Sequence, residues 1–433
     1  MTITKIESQA FEQSVERWIL HALASGVNTF DQLIKALPSV DPIVAFNALQ
    51  RLSAGSSLPQ SALEQLTNPV KRTLTRSFYA RYQIGLPLPH PLDFDWRFTD
   101  ASVEYLLKYC EELTAFNDTI VLLGTPSLFR GGLTLSWQRS MILLEANATM
   151  TNYLNLSTSR SQVVQSDLLK DEIQTRSAAA VMMDPPWYPE HIQSFLWSAC
   201  QFCHLGGHIF ASLPPIGTRP GIDQEWKNTL AWANRLGLEL VRREELSLSY
   251  LTPAFERNAF RVAGIPAVER DWRRGDLAIF SRKKLTQLPR PKVVRREDIW
   301  AEVNLLGVRI RVRPWSSSEF ENPKLVPILP GDVLTTVSRR DPRRQLADIW
   351  TSGNRIFICR GRSILWQVLQ AISTGDQPHD VVEVSLKRSL HPNEVVLISE
   401  TTEQILSLIS TEQKENLLFE DHWNDTNFAL AAS

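Results

Sequence analysis

Between residues 14 and 53 apolar positions recur every three to four residues, in three short helical patterns. SVERWILHALASG sets Trp18, Ile19, Ala22 and Leu23 at helical spacing and ends at a glycine. TFDQLIKALPS starts on Thr29 as a cap and stops near Pro38. DPIVAFNALQRL offers Asp41 as cap and Pro42 at the first helical position, with Val44, Leu49 and Leu52 facing inward. Three short helices with tight turns predict a winged-helix module over 1–70. A proline-rich piece, GLPLPHPLDFDW, and a helix from about Thr99 to Leu113 bridge onward over 71–115.

From 116 the rhythm changes. TIVLLG (119–124), MILLEAN (141–147), SQVVQSDL (161–168), AAAVMMDPPW (178–187) and GHIFASL (207–213) are short apolar runs, with a helix over about 189–203 between the last two. A helix at 223–236 and the stretches LELVRREELSLSYL and DLAIFSRK complete a unit ending near 285. This alternation predicts an α/β fold with a Rossmann-like parallel sheet, in which ligands bind at the C-terminal strand ends. Beyond it, LGVRIRVRPW and NRIFICRG predict strands, ILWQVLQAIS a helix, and the last thirty residues a polar, acidic tail. Residues 286–433 are therefore expected to form a C-terminal α+β domain.

Composition is that of a globular protein, 43% hydrophobic and 21% charged. No apolar run reaches the ~18 residues of a membrane span, and MTITKIESQAFEQ lacks a signal core, so a cytoplasmic protein without membrane contact is expected. The net charge of −1 hides an asymmetry. Residues 281–362 carry 18 Lys/Arg against 8 Asp/Glu, whereas 363–433 carry 3 against 11. Arg309, Arg311 and Arg313 alternate, so on a strand they share a face; with Arg339, Arg340, Arg343, Arg344, Arg355, Arg360 and Arg362 they offer a basic surface for nucleic-acid phosphates or an acidic protein partner over 309–362. The alternative is neutralisation by the chain's own acidic end. The helical module, with 4 basic and 6 acidic residues in 1–70, is a poor phosphate binder and suits a scaffold or dimerisation role better.

The chemistry gathers at four predicted strand ends. The first ends in Gly124, Thr125, Pro126 and Ser127, the second at Glu145, the third at Asp167 and the fourth at Asp184. Gly124 allows a close backbone approach. Glu145 lies beyond it at about the ~20-residue spacing of an acid that holds ribose hydroxyls. An acid after the third strand, Asp167, suits an adenine amino group. Together they outline an adenosine pocket. The fourth end reads VMMDPPWYPEH, where Pro185 and Pro186 stop the strand and fix the backbone.

DPPW in this layout resembles the amino-methyltransferase motif of class I S-adenosylmethionine-dependent methyltransferases. LLGTPSLF, LLEAN and DPPWY in succession are similar to the N6-adenine methyltransferase-like family, whose members act on adenine or on a lysine of a translation elongation factor. The helical module ahead of such a domain also resembles the branched-chain polyamine synthases, which move aminopropyl groups from decarboxylated S-adenosylmethionine. The resemblance covers about 115–215, with an architectural echo over 14–53. The first loop departs from it, with one glycine where two or three are usual.

The resemblance implies S-adenosylmethionine as cofactor and methyl transfer to an amine, with adenine N6 in a nucleic acid as the leading acceptor. Asp184 and the Pro185 carbonyl would orient the amine, Pro186 would stiffen that carbonyl, and Trp187 or Tyr188 would stack on a base or contact a cation. Aminopropyl transfer to a polyamine, protein lysine methylation and a non-catalytic adaptor are the alternatives. The polyamine reading requires an acidic lining beyond Asp184. Cys200, Cys203 and His204 have c-type haem spacing, but the two cysteines are expected to face the core; no metal site is expected, and the oligomeric state is left open.

Overall fold

The computed structural model describes residues 5–67, 80–155, 161–172, 177–266, 268, 270–292, 300–316, 319–339 and 341–420. Helices α1 (Lys5–Ala24), α2 (Phe30–Ala36), α3 (Pro42–Ala54) and α4 (Gln60–Thr67) form the first module. The expected caps are in place: Thr29 accepts from Gln32 N and Asp41 from Ile43 N, with Pro42 opening α3. No strand occurs among the described residues of 5–67, and 68–79, where a wing would come next, lie outside them. The module's core of Ile19, Leu33, Ala45 and Leu49 continues into Phe260, Ile265 and Trp272, which docks it on the next domain.

That domain runs β1 (Arg97–Phe98), α5 (Asp100–Leu113), β2 (Thr119–Leu123), α6 (Pro126–Thr134), β3 (Ser140–Glu145), α7 (Ala148–Leu154), β4 (Ser161–Gln165) and β5 (Ala178–Met183). It continues through α8 (Pro189–Phe202), β6 (Cys203–Leu213), α9 (Ile222–Arg235), β7 (Leu238–Leu251), α10 (Ala254–Val262) and β8 (Arg274–Arg282). One sheet has the order β1-β7-β8-β6-β5-β2-β3-β4. Strands β2 to β6 run parallel to one another, whereas β8 runs antiparallel to both β6 and β7. This is the Rossmann-like sheet expected from the sequence. Residues 80–113 are built into it, since β1 pairs with β7 and Val103 of α5 packs on α6.

Strand periodicity splits the core. Ile120 and Leu122 face Val103, Leu128 and Phe129 on one side of the sheet. Val121 and Leu123 face Phe195, Leu196 and Ala199 on the other. Because β3 and β5 flank β2, the chain reverses its winding there, and the loops above β2 and β5 diverge to leave a crevice. Register levels its rim. Leu123 pairs with both Leu144 and Met183, and Glu145 with Gln165. Gly124, Glu145, Ser166 and Asp184 therefore emerge at one edge.

The C-terminal module is β9 (Ala301–Leu305), β10 (Val308–Val312), β11 (Val326–Pro327), β12 (Ile349–Thr351), β13 (Ile356–Ile358), α11 (Arg362–Thr374), α12 (Pro378–Leu386) and α13 (Pro392–Glu420). Its antiparallel sheet, in order β11-β13-β12-β10-β9, packs Val303, Ile310 and Phe357 against Leu365, Val382, Ile398 and Ile405 of the helices. The expected acidic tail is helix as far as Glu420, because Ile405, Leu408 and Ile409 recur at helical spacing and bury themselves; 421–433 lie outside the described residues.

Adjacent glycines on α6 test the packing. A Cβ on Gly131 would run into buried Val103 Cγ1, whereas on Gly132 it would meet the flexible Met141 Sδ at 2.5 Å. Ala gains about 1 kcal/mol over Gly in helix propensity, and overpacking a rigid neighbour costs about 1–3 kcal/mol. Gly131→Ala should therefore lower the urea midpoint, while Gly132→Ala should leave it level or higher; the reverse order would contradict the close approach of α5 and α6.

Candidate functional site

The crevice is an open cleft whose space, counted together with the solvent at its mouth, is about 880 Å³. Of the residues singled out from sequence, Gly124, Thr125, Pro126, Ser127, Glu145, Asp167, Asp184 and Pro186 all line it. Gly124 has φ +62°, a left-handed conformation that a side chain would strain, and its N–H donates to Leu144 O at 2.9 Å. Thr125 precedes α6 without capping it; its Oγ1 is buried and has no hydrogen-bond partner among the described residues. A buried hydroxyl left unmatched on a cleft wall is a ready partner for a polar ligand atom.

Glu145 accepts from Asn147 N at 2.8 Å. Burial pushes its carboxyl up to about 7 against that hydrogen bond, and the charges of Asp95 and Asp93 push the same way. Asp167 accepts from Leu169 N at 3.0 Å and lies 3.3 Å from Lys170 Nζ, so part of its capacity is spent locally. At the end of β5, Asp184 accepts from the Tyr250 hydroxyl at 2.7 Å. Burial raises its carboxyl to about 8, against the opposing hydrogen bonds from Tyr250 and Ser212. The Pro186 carbonyl accepts from Tyr188 N at 2.6 Å, whereas the Pro185 carbonyl accepts no hydrogen bond from the described residues.

Pro185 and the two aromatic residues of the motif are not among the residues that line the cleft. Trp187 lies edge-on to Tyr250, at 5.7 Å between centroids, with the Arg273 guanidinium 5.8 Å from its ring. Gly275 leaves it room, since a Cβ there would come within 3.1 Å of Trp187 Cζ2. Tyr188 carries the Arg339 guanidinium 3.9 Å over its ring and meets Phe94 edge-on at 5.7 Å. Both rings are engaged within the protein.

A wall absent from the sequence reading completes the cleft. Asp93, Phe94, Asp95, Trp96 and Arg97, in the segment expected only to bridge, line it too, as do Asn147 and His191. Arg97 is gripped by Asp95 (Nε–Oδ1 3.0 Å, Nη2–Oδ2 2.6 Å) and donates to Pro87 O at 2.6 Å. Trp96 Nε1 donates to Glu256 at 3.2 Å, and Arg273 Nη2 to the same fully buried carboxylate at 2.6 Å. Aspartates alternating with aromatic residues over 93–96 were the available sequence signal, masked by the neighbouring prolines.

The arginines expected to form a basic surface are largely engaged inside the chain. Arg309 has no exposed surface; it and Arg311 share Asp93 and Glu302. Arg355 pairs with Glu415 at 2.9 Å and Asp332 at 3.0 Å, Arg362 with Asp348 at 2.8 Å, and Arg343 with Asp341 at 2.5 Å. Arg344 is buried over Trp350 and Arg313 lies over Trp300; Arg360 is exposed, and Arg340 lies outside the described residues. Alternation did put Arg309 and Arg311 on one strand face, but that face turns toward 87–95. Cys200 and Cys203 are buried free thiols.

No protein-family model matches the chain, and no curated protein matches it. Among solved structures it is similar to a mutein of the branched-chain polyamine synthase from Thermus thermophilus, in complex with N4-aminopropylspermidine and 5'-methylthioadenosine. The TM-score is 0.52 at 11% identity, over 67% of this chain and 94% of that one. The branched-chain polyamine synthase itself, with the same ligands, gives 0.45 at 11% identity over 67% and 95%. A 16S rRNA N2 methyltransferase from the same organism, with AdoMet and guanosine, gives 0.29 at 18% identity over 54% of each chain. At such identities the first likeness establishes a shared fold, over a span longer than the sheet domain alone. No helix among the described residues is long and apolar enough to cross a membrane. The middle domain thus has a Rossmann-like α/β fold, shared with that synthase structure, with carboxylates at its switch point.

Proposed function

We propose that this chain alkylates an amine nitrogen, with an S-adenosylmethionine-type sulfonium as donor. One observation carries the reading: Gly124 to Ser127, Glu145, Asp167 and Asp184, from four separate strand ends, line a single cleft at the switch point. When bound, the donor supplies an electrophilic carbon on a positively charged sulfur. Gly124 and the unmatched Thr125 hydroxyl face its methionine side, Glu145 the ribose, and Asp167 the adenine. Asp184 and the Pro185 carbonyl accept the amine's hydrogens and hold its lone pair toward that carbon. As the N–C bond forms, the carbon–sulfur pair stays on sulfur, and the nitrogen gives up a proton. Asp184, with its carboxyl raised to about 8, titrates where a general base is effective, and the Tyr250 hydroxyl holds it in place.

Methyl transfer from S-adenosylmethionine is the first reading, with adenine N6 in a nucleic acid as its narrower form; Phe94 and Trp96 are the ring platforms on the lining. A second reading, aminopropyl transfer to a polyamine, is favoured by charge. The lining carries Asp93, Asp95, Glu145, Asp167 and Asp184; Asp93 is paired with Arg309 and Arg311 and Asp95 with Arg97, so the cation-attracting charge comes from Asp167 and, as pH rises through about 7 and 8, from Glu145 and Asp184. Such a lining attracts cations and gives the carboxylate of a methionine group little in return.

Calorimetric titration with S-adenosylmethionine and its decarboxylated form, then mass spectrometry of amine acceptors, separates the readings. Micromolar binding of one donor, with transfer lost in Asp184→Ala by about 10²-fold or more, is expected. Silence toward both donors, or full transfer without the carboxylate, would rule the proposal out. Transfer should also rise with pH through about 8 as Asp184 ionises.

Stability should move the opposite way. Because the folded carboxyl of Asp184 titrates above the unfolded one, its favourable contribution is complete below about 3.8 and is lost as pH rises through about 8. Asp184→Asn should therefore match the wild type near pH 4 and melt higher than it at pH 8. A pH-independent difference would contradict a half-buried carboxyl raised to about 8.

A further inference from the structure

The segment Leu86–Arg97 is a strap with two faces. Toward the cleft it presents Asp93, Phe94, Asp95, Trp96 and Arg97. From the other side the C-terminal module holds it. Leu92 packs on the cluster of Leu334, Ala347, Trp350 and Ile356. His90 is fully buried, accepts from Leu92 N at 3.2 Å and so donates from Nε2 to Trp350 O at 3.2 Å. Arg309 Nη1 donates to Leu88 O at 2.8 Å and its Nη2 to Asp93 Oδ2 at 2.7 Å, while Arg311 Nη2 reaches Asp93 Oδ1 at 2.5 Å.

Glu302 fixes both arginines from behind, at 2.8 Å from Arg309 Nε and 2.6 Å from Arg311 Nε. It also accepts from Thr149 Oγ1 of α7 at 2.6 Å. Asn147 closes the ring: its Nδ2 donates to Asp93 Oδ2 at 2.5 Å and its backbone N–H to Glu145. One polar network thus joins β9 and β10 of the C-terminal module to the strap and to the loop after β3. Asp93 faces Glu145 across the lining, and without the two guanidiniums its charge would push the strap away from that carboxyl.

We infer that Arg309, Arg311 and Glu302 are positioning residues of the donor site, through which the C-terminal module holds the strap and the Glu145–Asn147 loop at the separation the donor requires. Donor affinity then depends on side chains that do not line the cleft. This inference rests on the donor reading above and adds to it what the module beyond residue 285 does.

The test uses the full chain with Arg311→Gln, its conservative partner Arg311→Lys, and a control, Arg388→Gln, which breaks the exposed Arg388–Glu394 pair of the same module. Donor Kd is measured by calorimetry on folded protein, thermal midpoint by circular dichroism, and amide exchange over 86–97 by mass spectrometry. Arg311→Gln should weaken the preferred donor by about tenfold or more and speed exchange in the strap. Arg311→Lys should recover most of that loss, and Arg388→Gln should leave Kd unchanged. Glu302→Gln, which keeps its shape and removes the charge, is the second variant should Arg311→Gln fail to fold, and it should weaken the donor in the same direction. A merely structural role predicts a lower midpoint with wild-type Kd in the folded protein, and that result overturns the inference alone. A wild type that binds neither donor overturns the donor reading and the inference with it.

Discussion

A guanidinium with no exposed surface cannot stand alone, and Arg309 is such a group. Burial opposes its charge; Asp93 and Glu302 outweigh that and raise its hold on the proton. Glu302 in turn is held down to about 2 by the two arginines against its own burial. Asp93 is half-buried, and Arg311 and Arg309 likewise keep it below the ordinary carboxylate range against its desolvation. Leaving one member of such a set unpartnered costs about 3–5 kcal/mol, so the geometry is strongly enforced. It joins stretches more than 200 residues apart in sequence and sets where one wall of the cleft stands.

The opposite wall obeys a local rule. Parallel strands in register end level, so the residues just past Leu123, Leu144, Gln165 and Met183 arrive at one rim. That much was legible in the sequence, because buried parallel strands read as continuous apolar runs and their ends are marked by Gly124, Glu145, Asp167 and Asp184. The helical caps at Thr29 and Asp41 were legible for the same reason: a cap bonds within three residues of itself. Long-range partnership was not legible. Nothing near Asp184 announces Tyr250, whose hydroxyl reaches it only because β7 and β8 carry the chain back along the sheet. Nor does alternation of Arg309 and Arg311 disclose that their face meets an aspartate rather than water.

Trp187 and Tyr188 show a related limit. Motif chemistry suggested rings facing a ligand, but ring placement depends on what else competes for the face. Arg273 lies against Trp96, Trp187 and Trp272 and bonds Glu256, so Trp187 helps hold the helical module's docking surface to the wall of the cleft. Phe94 and Trp96 take the lining instead. The cleft is therefore framed from three sides: the sheet supplies its carboxylates, the C-terminal module holds its strap, and Trp272 ties it to the N-terminal helices.

If strand ends and strap form one donor site, a donor-derived ligand must touch both at once. Amide exchange read by mass spectrometry, with and without S-adenosylhomocysteine or 5'-methylthioadenosine, tests this most directly. Simultaneous protection of 124–127, 145–147, 166–169 and 93–97 is the predicted result. Protection confined to other segments, or none with either ligand at saturating concentration, would contradict it.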